Sequence, residues 1–329
     1  MNPGEGGIWS LFRSRSSRNN DHNKLRKIKE RIAGRGFFLI TLLPLGILLL
    51  VLAALLVRTW PILRVVSPWE LLSGQTWKPL QGLFGMFPFI AGTFWVTVVA
   101  MVLAVPPCLL SAIYLAEYAR PRMREGVKPL IDLLAAIPSV VYGVWGLVAI
   151  VPLVDWLSPR ISATLGFLPF IKSENPTGFS ILAGGIVLAV MVAPFIIAVT
   201  FEVLRSVPAE AREASLAVGA TRWQTIKFAV LPQARAGVFA GVMLGMSRAL
   251  GETMAVLMVV GNVAKVPSSI FDPAYPLPAL IANNYGEMMS IPLYDSALLG
   301  AALVLLLVVL FFNIISNLFL RQITGRPKG

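Results

Sequence analysis

The chain has 329 residues, 57% of them hydrophobic and only 13% charged, with a mean hydropathy of +0.77 and a formal net charge of +12. A soluble domain carries nearer about 25% charged residues, and several uncharged apolar runs exceed the roughly 18 residues that mark a membrane span, so a soluble fold is excluded. One cysteine, Cys108, and one histidine, His22, exclude a disulfide framework and a multi-histidine metal site within the chain. The basic residues flank the apolar runs, the distribution of topology signals and headgroup contacts rather than of a nucleic-acid surface.

Residues 1–36 form a basic tail with Arg13, Arg15, Arg18, Lys24, Arg26, Lys27, Lys29, Arg31 and Arg35. Its stretch S-R-S-S-R-N-N-D-H-N is too poor in apolar residues to build a core and is expected to be disordered, as a solvated extension. Residues 37–57 are too long and uniformly apolar for a signal-peptide core, and no small-residue cleavage site follows, so they read as an uncleaved first span. Residues 58–89 are a mixed loop with Trp60, Trp69 and Trp77, a residue type at home at the membrane–water interface. The second span, 90–114, contains Pro106 and Pro107, and the third, 129–153, is kinkable at Pro138. A polar loop over 155–180 leads to the fourth span, 181–204, which contains Pro194. A polar loop, 205–235, precedes the fifth span, 236–262. A proline-rich loop, 263–293, precedes the sixth, 294–320, and residues 321–329 form a short basic tail. The expected fold is all-α and polytopic, with a six-span domain over 37–320.

Orientation follows from the lysines and arginines. With the N-terminus inside, nine fall in the N-terminal tail, four in 115–128, five in 205–235 and three in the C-terminal tail. Only six, Arg58, Arg64, Lys78, Arg160, Lys172 and Lys265, fall outside. Both termini and the loop 205–235 are therefore expected on the cytoplasmic side.

The fifth span carries Arg248 and Glu252 near its middle. A charge at bilayer depth costs at least about 3 kcal/mol on insertion scales, so such residues face a protein interior or a water path. On a continuous helix a spacing of four residues puts both on one face, close enough to pair. Two readings stand: a transport wall, or a static interhelical ion pair. Gly237, Gly241 and Gly245 form a doubled G-x-x-x-G, expected to let helices approach closely. Pro138 and Pro194 are expected to be kinks. Asp132 suits the start of the third span and Glu202 is interfacial; neither is assigned to a substrate.

Within 205–235 two short helices are legible. Ser206 stands just ahead of the first and Pro208 falls in its first turn, with Glu210 and Glu213 near its positive end. Gly219 is a left-handed stop. Thr221 and Gln224 form a capping box for the second helix, which Pro232 limits. Leu216, Val218, Trp223 and Ile226 are apolar residues on a polar segment. They read equally well as a patch for a partner's groove and as packing beneath the bundle.

The segment E-A-S-L-A-V-G, nine residues, A-V-L-P resembles the EAA loop of ABC importer permeases, which reads E-A-A, three residues, Gly, nine residues, I-x-L-P. Glu213, Ala214, Gly219, Leu231 and Pro232 match in spacing. Ser215 replaces the second Ala, and Ala229 stands where the pattern has Ile, which puts one apolar docking contact in doubt. In that family the loop is a coupling helix seated on a nucleotide-binding subunit, and the resemblance implies that role for these residues. The chain has no G-x-x-x-x-G-K-[ST] loop. No cofactor is expected in this chain, ATP and Mg being bound by a separate ATPase.

Two further segments, D-L-L-A-A-I-P-S-V-V-Y-G-V-W-G (132–146) and G-M-S-R-A-L-G-E-T-M-A-V (245–256), closely resemble the PstC family of phosphate ABC transporter permeases. The resemblance runs over roughly 37–320 and implies the type I ABC importer permease fold in the inner (cytoplasmic) membrane. In that family the Arg and Glu of the second segment are associated with phosphate translocation, which implies a substrate-path role for Arg248 and Glu252. The implied partners are a homologous second permease (PstA-like), two copies of an ATP-binding subunit (PstB-like) and an external phosphate-binding protein (PstS-like). The chemistry agrees. A guanidinium grips a tetrahedral oxyanion through parallel hydrogen bonds, and conduction needs binding weak enough to release. A neighbouring carboxylate that pairs with the Arg in the empty site would supply that weakness, phosphate displacing it or protonation of Glu252 assisting. A permease for sulfate or molybdate, and an ATP-independent secondary transporter, are the alternatives. The coupling loop counts against the second, and no inverted repeat favours it. A membrane enzyme lacks an acid–base constellation beyond this one pair.

Overall fold

The computed structural model describes residues 6–168, 170–172, 177–287 and 291–324. Among these, six helices are long and apolar enough to cross a membrane: Ala33–Leu63, Phe87–Tyr118, Ser139–Thr164, Ile181–Ser206, Arg222–Leu250 and Tyr294–Ile323. The chain divides into two compact units, one ending at Val57 and the other beginning at Arg58. Helix α1 (Gly6–Leu63) supplies the first. From Phe37 to Val57 its apolar side chains are largely exposed, Phe37 and Val57 at 71% each. The polar stretch 14–23, expected to be disordered, is helical within α1. Extending an existing helix adds one hydrogen bond per residue without a new nucleation penalty, and the Lys-, Arg- and Glu-rich residues 24–31 are good helix formers. The tail predicted over 321–329 lies outside the described residues from 325 onward.

The second unit holds the rest. Helix α2 (Pro68–Ser73) leads to a small antiparallel hairpin, β1 (Trp77–Lys78) and β2 (Leu83–Phe84), with Trp77 opposite Phe84. Then come α3 (Phe87–Ile113), α4 (Pro121–Ala136), α5 (Ser139–Trp145) and α6 (Val151–Leu165). Helix α7 (Ile181–Ser206) is followed by α8 (Ala209–Ala217), α9 (Arg222–Thr225), α10 (Leu231–Leu250), α11 (Met254–Leu257), α12 (Leu277–Asn284) and α13 (Tyr294–Thr324).

Helix α7 is the post of the bundle. The Ser180 side chain caps it, accepting from the Ala183 N–H at 3.1 Å. It is apolar nearly all round, the signature of a buried helix: Ile181, Val187, Leu188, Met191, Val192, Ile196 and Leu204 are almost inaccessible. Small residues let its neighbours close on it. A Cβ added at Gly185 would lie 2.4 Å from Val99 of α3. On the other side Gly237, Gly241 and Gly245 of α10 meet Val203, Val199 and Ile196 of α7, a Cβ at Gly237 falling 2.5 Å from Val203 Cγ1. The glycine ridge is thus a packing seam. A second core gathers Ile62, Leu71, Phe84, Met86, Phe89, Leu277, Leu280, Tyr294 and Leu298. In it Trp77 stands edge-on to Phe84 and Phe89, and the Tyr294 hydroxyl donates to Asn284 Oδ1.

The helices are less regular than their apolar runs. Three turns widen to π geometry, Tyr114–Tyr118, Gly146–Ile150 and Ile226–Val230. Pro152 and Pro232 stand two residues beyond the last two. Proline cannot donate to the carbonyl four residues back and its ring crowds that carbonyl, and a widened turn accommodates both. Contrary to the expectation from sequence, Pro232 therefore does not limit a helix; α9 runs through the widened turn into α10. The third span shifts too. Residues 121–136 form a separate helix that ends before Pro138, the crossing helix runs Ser139–Thr164, and the supposed loop from Asp155 is helical to Leu165.

The seam is checked by substitution. Gly237→Leu overpacks α7 against α10 and lowers stability by about 1–3 kcal/mol. Gly126→Ala, where a Cβ meets nothing within 4 Å, leaves stability unchanged or raises it by up to about 1 kcal/mol. Thermal unfolding of the purified protein in detergent reads both.

Candidate functional site

The loop after α7 folds much as its turn residues dictate. Pro208 is the N-cap of α8 rather than part of its first turn. Gly219 ends the helix at φ +85°, its N–H donating to Leu216 O at 3.0 Å. Only glycine takes this backbone without strain. The Thr221 side chain accepts from the Gln224 N–H, and Gln224 Oε1 accepts from the Thr221 N–H at 2.8 Å, which completes the capping box. Ser215, the departure from the EAA pattern, hydrogen-bonds Thr225 Oγ1 at 3.0 Å and ties α8 to α9. Glu213, Ala214 and Pro232 are exposed, while Leu231 and Ala229 are half-buried. Of the four apolar residues singled out from sequence, Leu216, Val218 and Trp223 are exposed at 47%, 84% and 51%. Ile226 is not; it faces inward at 2% exposure, while Phe228, two residues on, is exposed.

What holds α8 to the bundle is a residue the sequence reading passed over. Arg212 reaches the Glu117 carboxylate with Nη2 at 2.8 Å from Oε1 and Nε at 3.2 Å from both oxygens. It also donates to Leu204 O at 2.7 Å and Val207 O at 2.6 Å. Both charged side chains are largely shielded, 22% and 11% exposed. Arg124 of α4 donates to Leu115 O and Ala116 O in the widened turn that ends α3. Nearby, a cleft of about 790 Å3 is lined by Arg124, Lys128, Asp132, Glu202 and Arg205. The Lys128 ammonium donates to Glu202 at 2.5 Å, and that bond and the adjacent negative charge raise the lysine above its ordinary range. Its contribution is fully present below the ordinary lysine value and lost only as the pH rises through the raised one, so neutral pH leaves it intact.

The second group of predicted residues sits where the fifth span breaks. Helix α10 stops at Leu250, and after Gly251 the four-residue α11 begins at Met254. Arg248 and Glu252 are therefore not on one helical face, and no ion pair joins them among the described residues. The Arg248 guanidinium lies 4.0 Å from the centre of the Phe195 ring, about halfway along α7. Its side chain is exposed, and it stands in the last turn of α10, where the helix dipole favours a cation. Glu252 Oε1 instead accepts the Ala255 N–H at 3.2 Å, capping α11. The break had no proline to announce it; Gly251 was the available signal.

A second break lies close by. Pro138 cannot donate to Leu134 O, and the Tyr142 hydroxyl donates to that carbonyl at 2.8 Å instead. Helix α5 rests on α11, a Cβ at Gly143 falling 3.1 Å from Ala255 Cα. Ser247, next to Arg248, donates to Asn313 Oδ1 of α13 at 3.1 Å, which fixes the rotation of α10. Non-helical backbone within a membrane-crossing region is tolerated only where it is covered by protein or lines a water path. Here the two breaks lie at the ends of the crossing helices Ser139–Thr164 and Arg222–Leu250, and the second directly follows an exposed arginine stacked on a phenylalanine. Such a ring offers the cation attraction without neutralising it, and no carboxylate takes the guanidinium edge among the described residues.

Residues 108–328 match the family model of the binding-protein-dependent transport system inner membrane component. A phosphate transport system permease protein PstC of Xylella fastidiosa (strain 9a5c) is 39% identical over 257 residues, 77% of this chain and 78% of that protein. The PstC of Haemophilus influenzae (strain ATCC 51907) is 34% identical over 295 residues, 88% and 92% of the two chains. A probable ABC transporter permease protein YqgH of Bacillus subtilis (strain 168) is 38% identical over 265 residues, 80% of each. Among solved structures, a bacterial ABC transporter involved in the import of the acidic polysaccharide alginate aligns with TM-score 0.53 at 17% identity, over 82% of this chain and 98% of its own; this likeness concerns the fold alone. Six crossing helices and an EAA-type loop define a multi-pass transport permease of the inner membrane. The chain belongs to the family of binding-protein-dependent transport system inner membrane components, the permease subunits of ABC importers.

The role of Glu252 in the fold can be separated from its charge. Glu252→Gln keeps the acceptor that caps α11 and leaves thermal stability unchanged. Glu252→Ala removes the cap and lowers stability by about 1 kcal/mol, read by unfolding in detergent.

Proposed function

We propose that the chain is the phosphate-conducting permease of an ATP-driven importer, with Arg248 as the anion contact. One observation carries the reading beyond the likeness to these relatives. Where the crossing helix Arg222–Leu250 ends, an arginine is exposed, faces an aromatic ring and, among the described residues, has no carboxylate partner. A static ion pair would have left it neutralised.

In this reading both termini and α8–α9 face the cytoplasm. The exposed residues Leu216, Val218, Trp223 and Phe228 dock on an ATP-binding subunit, with Glu213, Ala214, Gly219, Leu231 and Pro232 shaping the contact. The assembly holds a homologous second permease, two ATP-binding subunits that bind ATP and Mg, and an external phosphate-binding protein. ATP binding draws the coupling helices together and rocks the bundles to accept phosphate from outside; hydrolysis resets them with phosphate inside. Glu252, engaged in the cap of α11, releases that bond to approach Arg248 when the path is empty.

The test is uptake of labelled phosphate by the full complex in proteoliposomes, with sulfate and molybdate run in parallel. Arg248→Ala is expected to reduce uptake by at least about 100-fold with the complex still assembled, the scale of losing a charged hydrogen-bond donor to an anion. Wild-type transport of sulfate or molybdate in place of phosphate, or full uptake by Arg248→Ala, overturns the reading. Gly219→Asp adds strain and a charge at the exposed turn and is expected to weaken co-purification with the ATP-binding subunit; undiminished association and transport would remove the docking assignment.

A further inference from the structure

The α8–α9 segment has two physical routes into the bundle. One is covalent: α9 continues through the widened turn Ile226–Val230 into α10. The other must pass from α8 itself, and α8 is poorly fitted to push by packing. It has no fully buried residue, and Ala211 is its only apolar residue against the core formed by Ala112, Ala116, Leu204, Val207, Val230 and Ala234. What it has is Arg212. That side chain bonds the Glu117 carboxylate through two nitrogens and the carbonyls of Leu204 and Val207 through the guanidinium ends. It thereby touches the end of α3, the last turn of α7 and the α7–α8 link at once. The same turn of α3 is also held by Arg124 through Leu115 O and Ala116 O.

We propose that the Arg212–Glu117 pair is the joint through which displacement of α8 moves α3 and α7, and so a positioning pair for the coupling of ATP hydrolysis to transport. The proposal rests on the importer reading above. A planar guanidinium with several fixed donors resists rotation in a way that a lone ammonium does not. Glu117 sits in a widened turn, between the α-helical part of α3 and Pro121 of α4. A push on it acts on a helix end rather than on the middle of a rigid rod. Helices α3 and α7 are in turn locked by the contact of Gly185 with Val99, so the two move together. Phe195, the partner of Arg248, lies on α7. The joint thus leads from the docking loop to the wall of the path without passing through α10.

The experiment measures ATP hydrolysed per oxyanion imported in reconstituted complexes carrying Glu117→Gln, Glu117→Ala, Arg212→Lys, Arg212→Ala or the double alanine variant. The ratio is read with whichever oxyanion the wild-type complex carries, so a wild-type failure on phosphate counts against the phosphate reading alone. Assembly is followed by subunit stoichiometry on gel filtration. The expected result is an assembled complex whose ATP hydrolysis stays within about twofold while the ratio rises by about tenfold or more in each alanine variant, a coupling loss of the usual allosteric size. The double variant should be no worse than the worse single one, because residues acting as one unit do not add. An unchanged ratio in the alanine variants overturns the joint. So do single effects that multiply in the double variant, and a loss of assembly that lowers hydrolysis and uptake together in Glu117→Gln as well as Glu117→Ala, which would mark the pair as merely structural.

Discussion

Close approach of α3 and α10 to α7 is the constraint on which the rest of this protein depends. In lipid there is little hydrophobic force between apolar helices, so they associate where backbones can come near enough for dense van der Waals contact. Gly185 faces Val99, and the seam Gly237–Gly241–Gly245 receives Val203, Val199 and Ile196. The branched side chains of one helix fill the gaps left by the missing side chains of the other. That packing fixes Phe195 opposite Arg248, and the Ser247–Asn313 bond sets the same rotation from the other side.

Once this core is rigid, irregular backbone becomes possible around it. Helices break near Pro138 and at Gly251, and in each case a side chain meets the freed backbone group: Tyr142 serves the carbonyl of Leu134, and Glu252 serves the amide of Ala255. Breaking a helix inside a bilayer without such replacements would leave unsatisfied groups costing several kcal/mol each. Among the described residues Arg248 has no carboxylate partner. The carboxylate that sequence spacing assigned to it is occupied elsewhere.

At the other end of the bundle, local turn chemistry and long-range electrostatics divide the work. Gly219 and the Thr221–Gln224 box shape the bend between α8 and α9 using contacts within a few residues. Position in space is then set by Arg212, Glu117 and Arg124, which join the ends of α3, α4, α7 and α8. Exposed Val218 and Trp223 are held out from this frame rather than folded beneath it.

The amino-acid sequence by itself determined the features that depend on near neighbours. These are six apolar crossing segments, the stop at Gly219, the capping box, the small-residue seam and the EAA spacing at Glu213, Ala214, Gly219, Leu231 and Pro232. The first four follow from periodicity or from a hydrogen bond between residues a few positions apart, and the EAA spacing is legible through its resemblance to a known family, so pattern suffices. Tertiary structure alone decided which helices remain continuous. Pro232, which looked like a stop, is absorbed by a widened turn, while Gly251, within the fifth apolar segment and next to Glu252, ends a helix. It also decided which charges meet. Glu252, four residues from Arg248, caps another helix, whereas Glu117 finds Arg212 from 95 residues away. Ile226 and Trp223 were alike as apolar residues on a polar loop, and only the turn of α9 against the bundle buried one and exposed the other. The physical reason is the same throughout. Competition among partners for a carboxylate, a carbonyl or an apolar surface is settled by what the fold brings within about 3–4 Å, and sequence spacing does not fix that distance once a helix can bend.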